Sequence, residues 1–518
     1  EPPSRAWRPH CGQTRDHDPP ERETPLTGSR VFQSHRIASA TAASLLVALS
    51  ACSHGGSGNA PEPNAAGALP PKVTDARLPR TRAERTNYAE TSHYDDVVAF
   101  IDALEKLGAP IATGTIGNTS EGRAIPYVIA SRPLVTTPDA ARALGRPIVY
   151  VQGNIHAGEV EGEEALQALV RDLVFQKQRN VLDSIVLIAV PIYNADGNEH
   201  FADQARNRSE QNGPPLVGTR ANAQGLDLNR DYMKADAPET RASLSAFNRW
   251  DPDFFVDLHT TDGSYHGYAL TYAPSLNPAG DIGPAFAGGA YVRDSILPEL
   301  RRRVRLRRGY ETIDYGNFVA QDSAERGWFT YDHRPRFGTN YYALRGRMSV
   351  LSEAYSHDPF ARRVASTYAF VSELLSLVAE HGRSIRVLSS RADSVVAAWG
   401  SGVASAQIPI RADMTTKPYT AEVIVETLER TGDTVRTEPG VRRGFRRTGS
   451  YRRVQMPVYD RFVATMTAPT AWGFALSTND SAAARVLTLH GIALDRIREA
   501  CSANAERFVS DSADSATA

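Results

Sequence analysis

Cysteine is scarce: Cys11, Cys52 and Cys501 are the only three in 518 residues. They are too few and too scattered for a disulfide framework or a thiolate zinc site. Excess charge of either sign is missing as well. The 58 basic and 59 acidic side chains leave a formal net charge of −1, so no global field draws the chain to nucleic acid or to an anionic surface. No apolar run reaches the roughly 20 residues that span a bilayer. The G-x-S-x-G elbow, the H-E-x-x-H helix and the phosphate-binding glycine loop are absent, which excludes three common hydrolase and nucleotide-binding plans. No internal repeat is found. What is there is globular: 41% hydrophobic residues, in a chain long enough for a large catalytic unit with an appendage.

Methionine is also missing before Met233, and residues 1–30 are polar and rich in Pro, Arg and Glu. They read as disordered, and as preceding the natural start, with Val31 as an alternative start codon. "SHRIASATAASLLVALSAC" then combines a basic start at Arg36, an apolar run from Ile37 to Leu49 and small residues before Cys52. The order of regions is that of a signal segment. "LSAC" resembles a bacterial lipobox, which implies lipidation of Cys52 and a place in the cell envelope, on the periplasmic side of the outer membrane, or secretion. A Gly/Ser/Pro/Ala stretch follows as a tether. The expected organisation is a leader and signal over 1–52, a tether over 53–80, a catalytic domain over 81–395 and a smaller β-rich or mixed region over 396–518.

From about Tyr88 the text becomes that of an α/β domain. "SHYDDVVAFIDALEKLG" has helical spacing, and "IATGTIGNTSEGRAIPYVIAS" reads as two strands joined near Ser120–Gly122. Apolar runs recur at "PIVYVQG", "SIVLIAVPIY", "FFVDLH" and "MSVLSEAY", with helical patterns at "EEALQALVRDLVF", "APETRASLSAFNRW" and "DSILPELRRRV". Unalternating runs separated by helices predict a mixed, mostly parallel sheet covered on both faces. Beyond "FARRVASTYAFVSELLSLVAEHG", short strands are expected at "IPIRADM", "YTAEVIVETLER", "RRVQMPVYDRFVATMTAP" and "WGFALS", and a helix at "AAARVLTLHGIALDRIREACSANAERF". The Arg-rich "VRRGFRRTGSYRR" reads as a solvated loop or, failing that, a binding patch.

Chemistry gathers at the carboxyl ends of strands in open α/β sheets. His156 and Glu159 follow "PIVYVQG", Asn194 and Asp196 follow "SIVLIAVPIY", His259 ends "FFVDLH" and Glu353 ends "MSVLSE". Two imidazoles and a carboxylate that leave one position open are the make-up of a catalytic zinc site. A spacing of three lets His156 and Glu159 share one loop or first helical turn, whereas His259 must arrive from a distant strand.

The motifs "GTIGNTSEGRAIPYVIAS", "GNIHAGE", "PIYNADGNE", "GLDLNRDY", "DLH" and "LSEAY", in this order between about Tyr88 and Gly382, resemble the zinc carboxypeptidase family. The resemblance implies one zinc per chain held by His156, Glu159 and His259, with Glu353 as the catalytic glutamate. It implies Asn229 and Arg230 as the pair that holds the substrate's terminal carboxylate, and Asp227 as the acid that orients the first zinc histidine. An arginine that stabilises the oxyanion is implied between "NADG" and "LNR"; Arg208 is favoured over Arg220, with Arg206 also in reach. Tyr331 stands where a capping tyrosine belongs, with Tyr341 and Tyr342 as competitors. Gly158 replaces the usual arginine between the first two ligands. The specificity pocket is expected near "RFGTNYY", where Gly338 supplies no charge.

His266, His357, His200 and His333 read as hydrogen-bonding or surface residues. Asp257 and Asp262 read as strand-end caps or as partners of His259, and Glu161 and Glu163 as acids favouring the positive end of a helix. The leading expectation is a lipid-anchored zinc exopeptidase acting on peptides or peptide-like amides. The alternatives are a deacylase of N-acyl amino acids on the same fold and a non-catalytic binding lipoprotein.

Overall fold

The computed structural model describes residues 73–498, apart from 285, 433–440 and 472. Cys52, the signal segment and most of the tether lie outside the described residues. Eight strands form the central sheet: β1 (Ile111–Asn118), β2 (Ala124–Ala130), β3 (Ile148–Gly153), β4 (Val186–Val190), β5 (Phe254–Thr260), β6 (Leu270–Pro274), β7 (Thr312–Asp314) and β8 (Met348–Ala354). Their spatial order is β1-β2-β4-β3-β5-β8-β6-β7. The central run β4-β3-β5-β8 is parallel, β1, β2 and β4 pair antiparallel, and β6 runs antiparallel to β8. This is the expected mixed sheet.

Alternation along β3 shows how the sequence builds two cores at once. Val149 and Val151 face one apolar cluster, where the helices Tyr94–Lys106, Glu161–Phe175 and Phe360–Glu380 pack. Ile148 and Tyr150 face the other, with the helices Pro238–Trp250 and Gly338–Leu344. A period of two on a sheet buried on both faces leaves no polar side in the strand itself. Polar chemistry is thereby pushed to the strand ends.

The C-terminal region is strand-rich as expected, and its connections add to that picture. The helix Gly382–Gly400 runs through the boundary expected at 395. The strands Tyr419–Arg430 and Phe445–Tyr459 join Asn317–Phe318 and Trp328–Phe329 in one four-stranded sheet, over a core that includes Trp328, Val423, Met456 and Val458. Gln407–Met414 and Phe462–Pro469 form a separate two-stranded ribbon. The described residues from 73 to 493 fall in one compact unit. "WGFALS" carries no strand among its described residues. The helix expected from 482 spans only Ser481–Leu489, stopping short of Gly491, whose φ of +75° suits glycine. Among the described residues, no helix is long and apolar enough to cross a membrane.

Candidate metal and active site

The tip of β3 turns sharply into the Glu161–Phe175 helix. Gly153 lets that helix come close, since a Cβ there would lie 3.0 Å from the Glu163 amide nitrogen, and Asn154 takes a φ of +65°. The loop then presents His156 and Glu159, both almost fully buried. His259 comes from the end of β5, next to β3 in the sheet. The ligand atoms of His156, Glu159 and His259 all lie within 4.8 Å of one another. His156 Nδ1 is 3.0 Å from Glu159 Oε1, His259 Nδ1 is 3.0 Å from Glu159 Oε2, and the two Nδ1 atoms are 3.2 Å apart.

The far nitrogens are spoken for. His156 Nε2 lies 3.1 Å from Asp227 Oδ1, and His259 Nε2 lies 3.0 Å from Asp257 Oδ2. A carboxylate behind each imidazole fixes the tautomer that turns Nδ1 toward a cation and makes it a stronger donor. The buried Gln152 amide donates in turn to Asp257 Oδ1 at 3.0 Å. Two imidazoles facing each other at this distance, with a carboxylate between them, are a donor set suited to zinc.

Charge on these groups follows from their neighbours. Burial alone would raise the Glu159 carboxyl, but His156 and Arg208 override it and hold the group well below its usual range. Asp227 is likewise kept low against burial by His156 and Arg220. Burial would depress His259, yet Asp257 and Glu159 hold it well above its ordinary value. Glu353 goes the other way. Burial raises its carboxyl, Glu159 and Asp262 add repulsion, and His259 opposes them. Glu353 sits on β8 directly opposite His259 in the parallel register with β5.

The two arginines differ in commitment. Arg208 is 5% exposed and donates to Glu159 Oε1 at 3.0 Å and to the carbonyls of Thr260 and Thr261 at 3.2 Å each. Arg220 is 37% exposed, with Nε 3.0 Å from Asp227 and Nη1 3.4 Å from Glu159. Both arginines thus donate to Glu159 Oε1, Arg208 from a buried position through the shorter contact and Arg220 from a half-exposed one shared with Asp227. Arg206 belongs to the short helix Gln204–Asn207.

Asn229 accepts from the Gly338 amide at 2.9 Å, and its Nδ2 lies 3.4 Å from the His259 ring. The Arg230 guanidinium stacks 4.1 Å over Phe337. Tyr331 meets the same Phe337 ring edge-on at 5.2 Å and the Tyr315 ring at 5.6 Å. Burial and the nearby Glu353 raise both tyrosine hydroxyls. The competing tyrosines are structural: Tyr341 bonds His490 at 2.7 Å, and Tyr342 bonds Ser243 at 3.2 Å.

Several polar residues of the motifs serve the scaffold. Asn194 caps the short helix Ala195–Glu199. Asp196 accepts from Thr119, Ser120, Glu121 and Arg123, tying down the β1–β2 turn. Glu161 and Glu163 are fully buried; Glu161 pairs with Arg363 at 3.3 Å and Glu163 accepts from Asn154 at 2.9 Å. Side-chain partners, more than the helix dipole alone, account for them. His266 is buried and its backbone bridges Val425, His357 stacks on Tyr265, His200 pairs with Glu121, and His333 packs on Phe462. Sequence reasoning left out Tyr315, Phe337 and Gln152. Tyr315 sits in a loop without a motif, Phe337 lies within the quoted "RFGTNYY" but was not singled out there, and Gln152 is the one polar residue of an apolar strand.

Residues 97–282 match the family model described as zinc carboxypeptidase. The chain carries a zinc carboxypeptidase domain. The matched stretch holds His156, Glu159, Asp227, Asn229, Arg230 and His259, while Glu353 lies beyond it. The domain is 28% identical over 145 residues to probable carboxypeptidase 2 of Arthroderma benhamiae, covering 27% of this chain and 24% of that protein. It is 28% identical over 186 residues to carboxypeptidase D of Mus musculus, covering 30% of this chain and 13% of that one. The chain thus spans about a quarter or less of the length of these curated relatives. A metallo-carboxypeptidase structure from Burkholderia cenocepacia aligns with a TM-score of 0.40 at 19% identity, over 55% of this chain and 69% of that one. A metallo-carboxypeptidase from Pseudomonas aeruginosa, in complex with (2-guanidinoethylmercapto)succinic acid, aligns at 0.39 and 18%, over 58% and 69%.

Proposed function

We propose that the protein is a zinc-dependent carboxypeptidase that hydrolyses the terminal amide bond of peptides or peptide-like substrates. The observation that carries this reading is the convergence of His156, Glu159 and His259 beside Glu353, with Arg230 exposed next to them. Zinc, when bound by those three residues, supplies Lewis acidity that polarises a carbonyl and makes water a better nucleophile. Everything else falls to the chain. Arg230 pairs with the terminal carboxylate through charge-assisted hydrogen bonds, and Asn229, tied to Gly338, sits beside it. That pairing sets which bond lies before the metal ligands.

Glu353 removes a proton from the attacking water and delivers it to the leaving amine. Its buried setting suits a group that must both take and give a proton. Arg220, half-exposed and with the longer of the two arginine contacts to Glu159, offers the developing oxyanion a cation, whereas Arg208 is buried against Glu159. Tyr331 closes over the site against Phe337. Anchoring through Cys52 in a cell envelope belongs to the same proposal and rests on the lipobox pattern; the mass of the exported protein's mature N-terminus tests it, an intact Glu1 counting against it.

The test is metal analysis and a panel of peptides with free or amidated C-termini, run on the wild type and on Glu353→Gln. The expected result is about one zinc per chain in both proteins, release of the last residue from free C-termini only, and loss of activity in the variant. Fully active, zinc-free protein would overturn the proposal. Hydrolysis restricted to N-acyl amino acids would move it to the deacylase, and peptide binding without hydrolysis to the binding lipoprotein.

A further inference from the structure

We infer that this site selects substrates whose last residue is itself acidic, with Arg336 receiving the side-chain carboxylate while Arg230 holds the terminal one. The inference rests on the carboxypeptidase reading above and names its substrate class. Phe337 is the centre of the arrangement. The guanidinium of Arg230 lies 4.1 Å from its ring centroid and that of Arg336 lies 5.3 Å from it, so one aromatic plate carries two cations. Both arginine side chains are 35% exposed, which leaves each within reach of a ligand.

The local charge is not balanced by the protein. Two carboxylates face this group, and both are shared: Asp227 lies 4.0 Å from Arg230 Nη1 but also pairs with Arg220 and His156, and Asp332 accepts from Arg334 Nε at 2.5 Å, leaving Arg336 Nη2 at 3.2 Å. Arg336 Nε is buried and has no hydrogen-bond partner among the described residues. A buried donor without a partner is costly and marks a place where a ligand acceptor is worth most. Arg230 feels the crowding. Burial and the positive charges of Arg220 and Arg336 depress its pKa, with Asp227 and Asp332 opposing.

An acidic residue at the end of a peptide presents two carboxylates on one short frame, and two guanidinium forks beside one ring match that pair. A C-terminal lysine would bring a third cation to a site already repelling itself. An aliphatic end would shield Arg336 from water and offer its Nε nothing. Gly338, where the sequence places the pocket and no charge, is closed by packing: a Cβ there would sit 2.9 Å from the Tyr232 ring. The charge comes instead from two positions earlier.

The experiment compares peptides identical except for a final Glu, Gln, Ala or Lys. Turnover is measured on the zinc-loaded wild type and on Arg336→Gln. Binding of the Glu-ended and Gln-ended peptides is measured by calorimetry on zinc-loaded Glu353→Gln, and on the same protein carrying Arg336→Gln as well. The wild type should favour Glu over Gln by at least about 10-fold, mainly through KM, as one charge-assisted contact warrants. Arg336→Gln should bring the two within a few-fold of each other in both turnover and binding, and Arg336→Glu should shift preference toward Lys. A wild type that favours Lys or Ala, or a Glu/Gln ratio untouched in Arg336→Gln, overturns the inference. If no peptide is cut yet the binding ratio behaves as expected, the hydrolytic reading fails and the acidic pocket stands.

Discussion

A Cβ built on Gly158, between His156 and Glu159, would lie 2.6 Å from Cγ of Arg208 and 2.9 Å from the Gly218 carbonyl. In the sequence, glycine at this position means only that the substrate meets one side chain fewer. The structure shows the space taken by the stem of Arg208, which holds Glu159. Gly158→Ala should therefore loosen Arg208 and weaken metal retention while leaving Glu353 in place; zinc titration against a competing chelator reads the effect. Asp257 is a second case. Its pairing with His259 Nε2 predicts that Asp257→Asn lowers zinc affinity about 10- to 100-fold, measured by the same competition, with the protein still folded by circular dichroism. As candidates, His259 and Glu353 were legible because each ends an apolar run, and His156 and Glu159 because they follow one. Asp257 was open to two readings, since a strand-end aspartate caps a chain as easily as it backs a ligand.

Among the elements, the Glu161–Phe175 helix depends on a buried pair. Glu161 and Arg363 are both 0% exposed at their side chains, and Arg363 also reaches the carbonyls of Asn212, Gly213 and Asp358. Removing one partner leaves a buried charge alone. Arg363→Met should cost about 3–5 kcal/mol, read as a lower urea midpoint, with the Glu159 loop loosened alongside. At the sheet's edge, β7 ends on Asp314, whose carboxyl burial and Asp460 push up to about 6. Folding therefore favours the protonated form. Its contribution is fully present below about pH 4 and is lost as pH rises through 6. Asp314→Asn should flatten that part of the stability profile relative to wild type, measured by urea midpoints from pH 4 to 7. Strand β7 escaped the sequence pattern because it is three residues long, and β6, as long as β4, because Thr271 and Pro274 break its apolar run.

At the scale of the molecule, the C-terminal strands are tied to the α/β domain through one sheet, with Trp328 opposite Val458, and through Glu426, which accepts from the Tyr355 hydroxyl at 3.0 Å and is held by Arg447 at 2.6 Å. Tyr355 lies two residues beyond Glu353. Ending the chain at Gly400 should strip the cover from Trp328 and the aromatic residues around it, giving protein that aggregates or unfolds well below the full chain, as differential scanning calorimetry would show. By itself the sequence determined the fold class and picked out the candidate metal ligands, because apolar runs of period two force a buried sheet and drive polar groups to its carboxyl edge. Only the tertiary structure decided that Arg208 holds Glu159 from a buried position and Arg220 from a half-exposed one, what fills the space at Gly158, and which cations gather on Phe337. The outcomes at Glu159 and Gly158 depend on side chains that meet across long stretches of chain, as Arg208 and Glu159 do at 49 positions apart and Arg220 and Glu159 at 61, and no local pattern records which of several such partners wins.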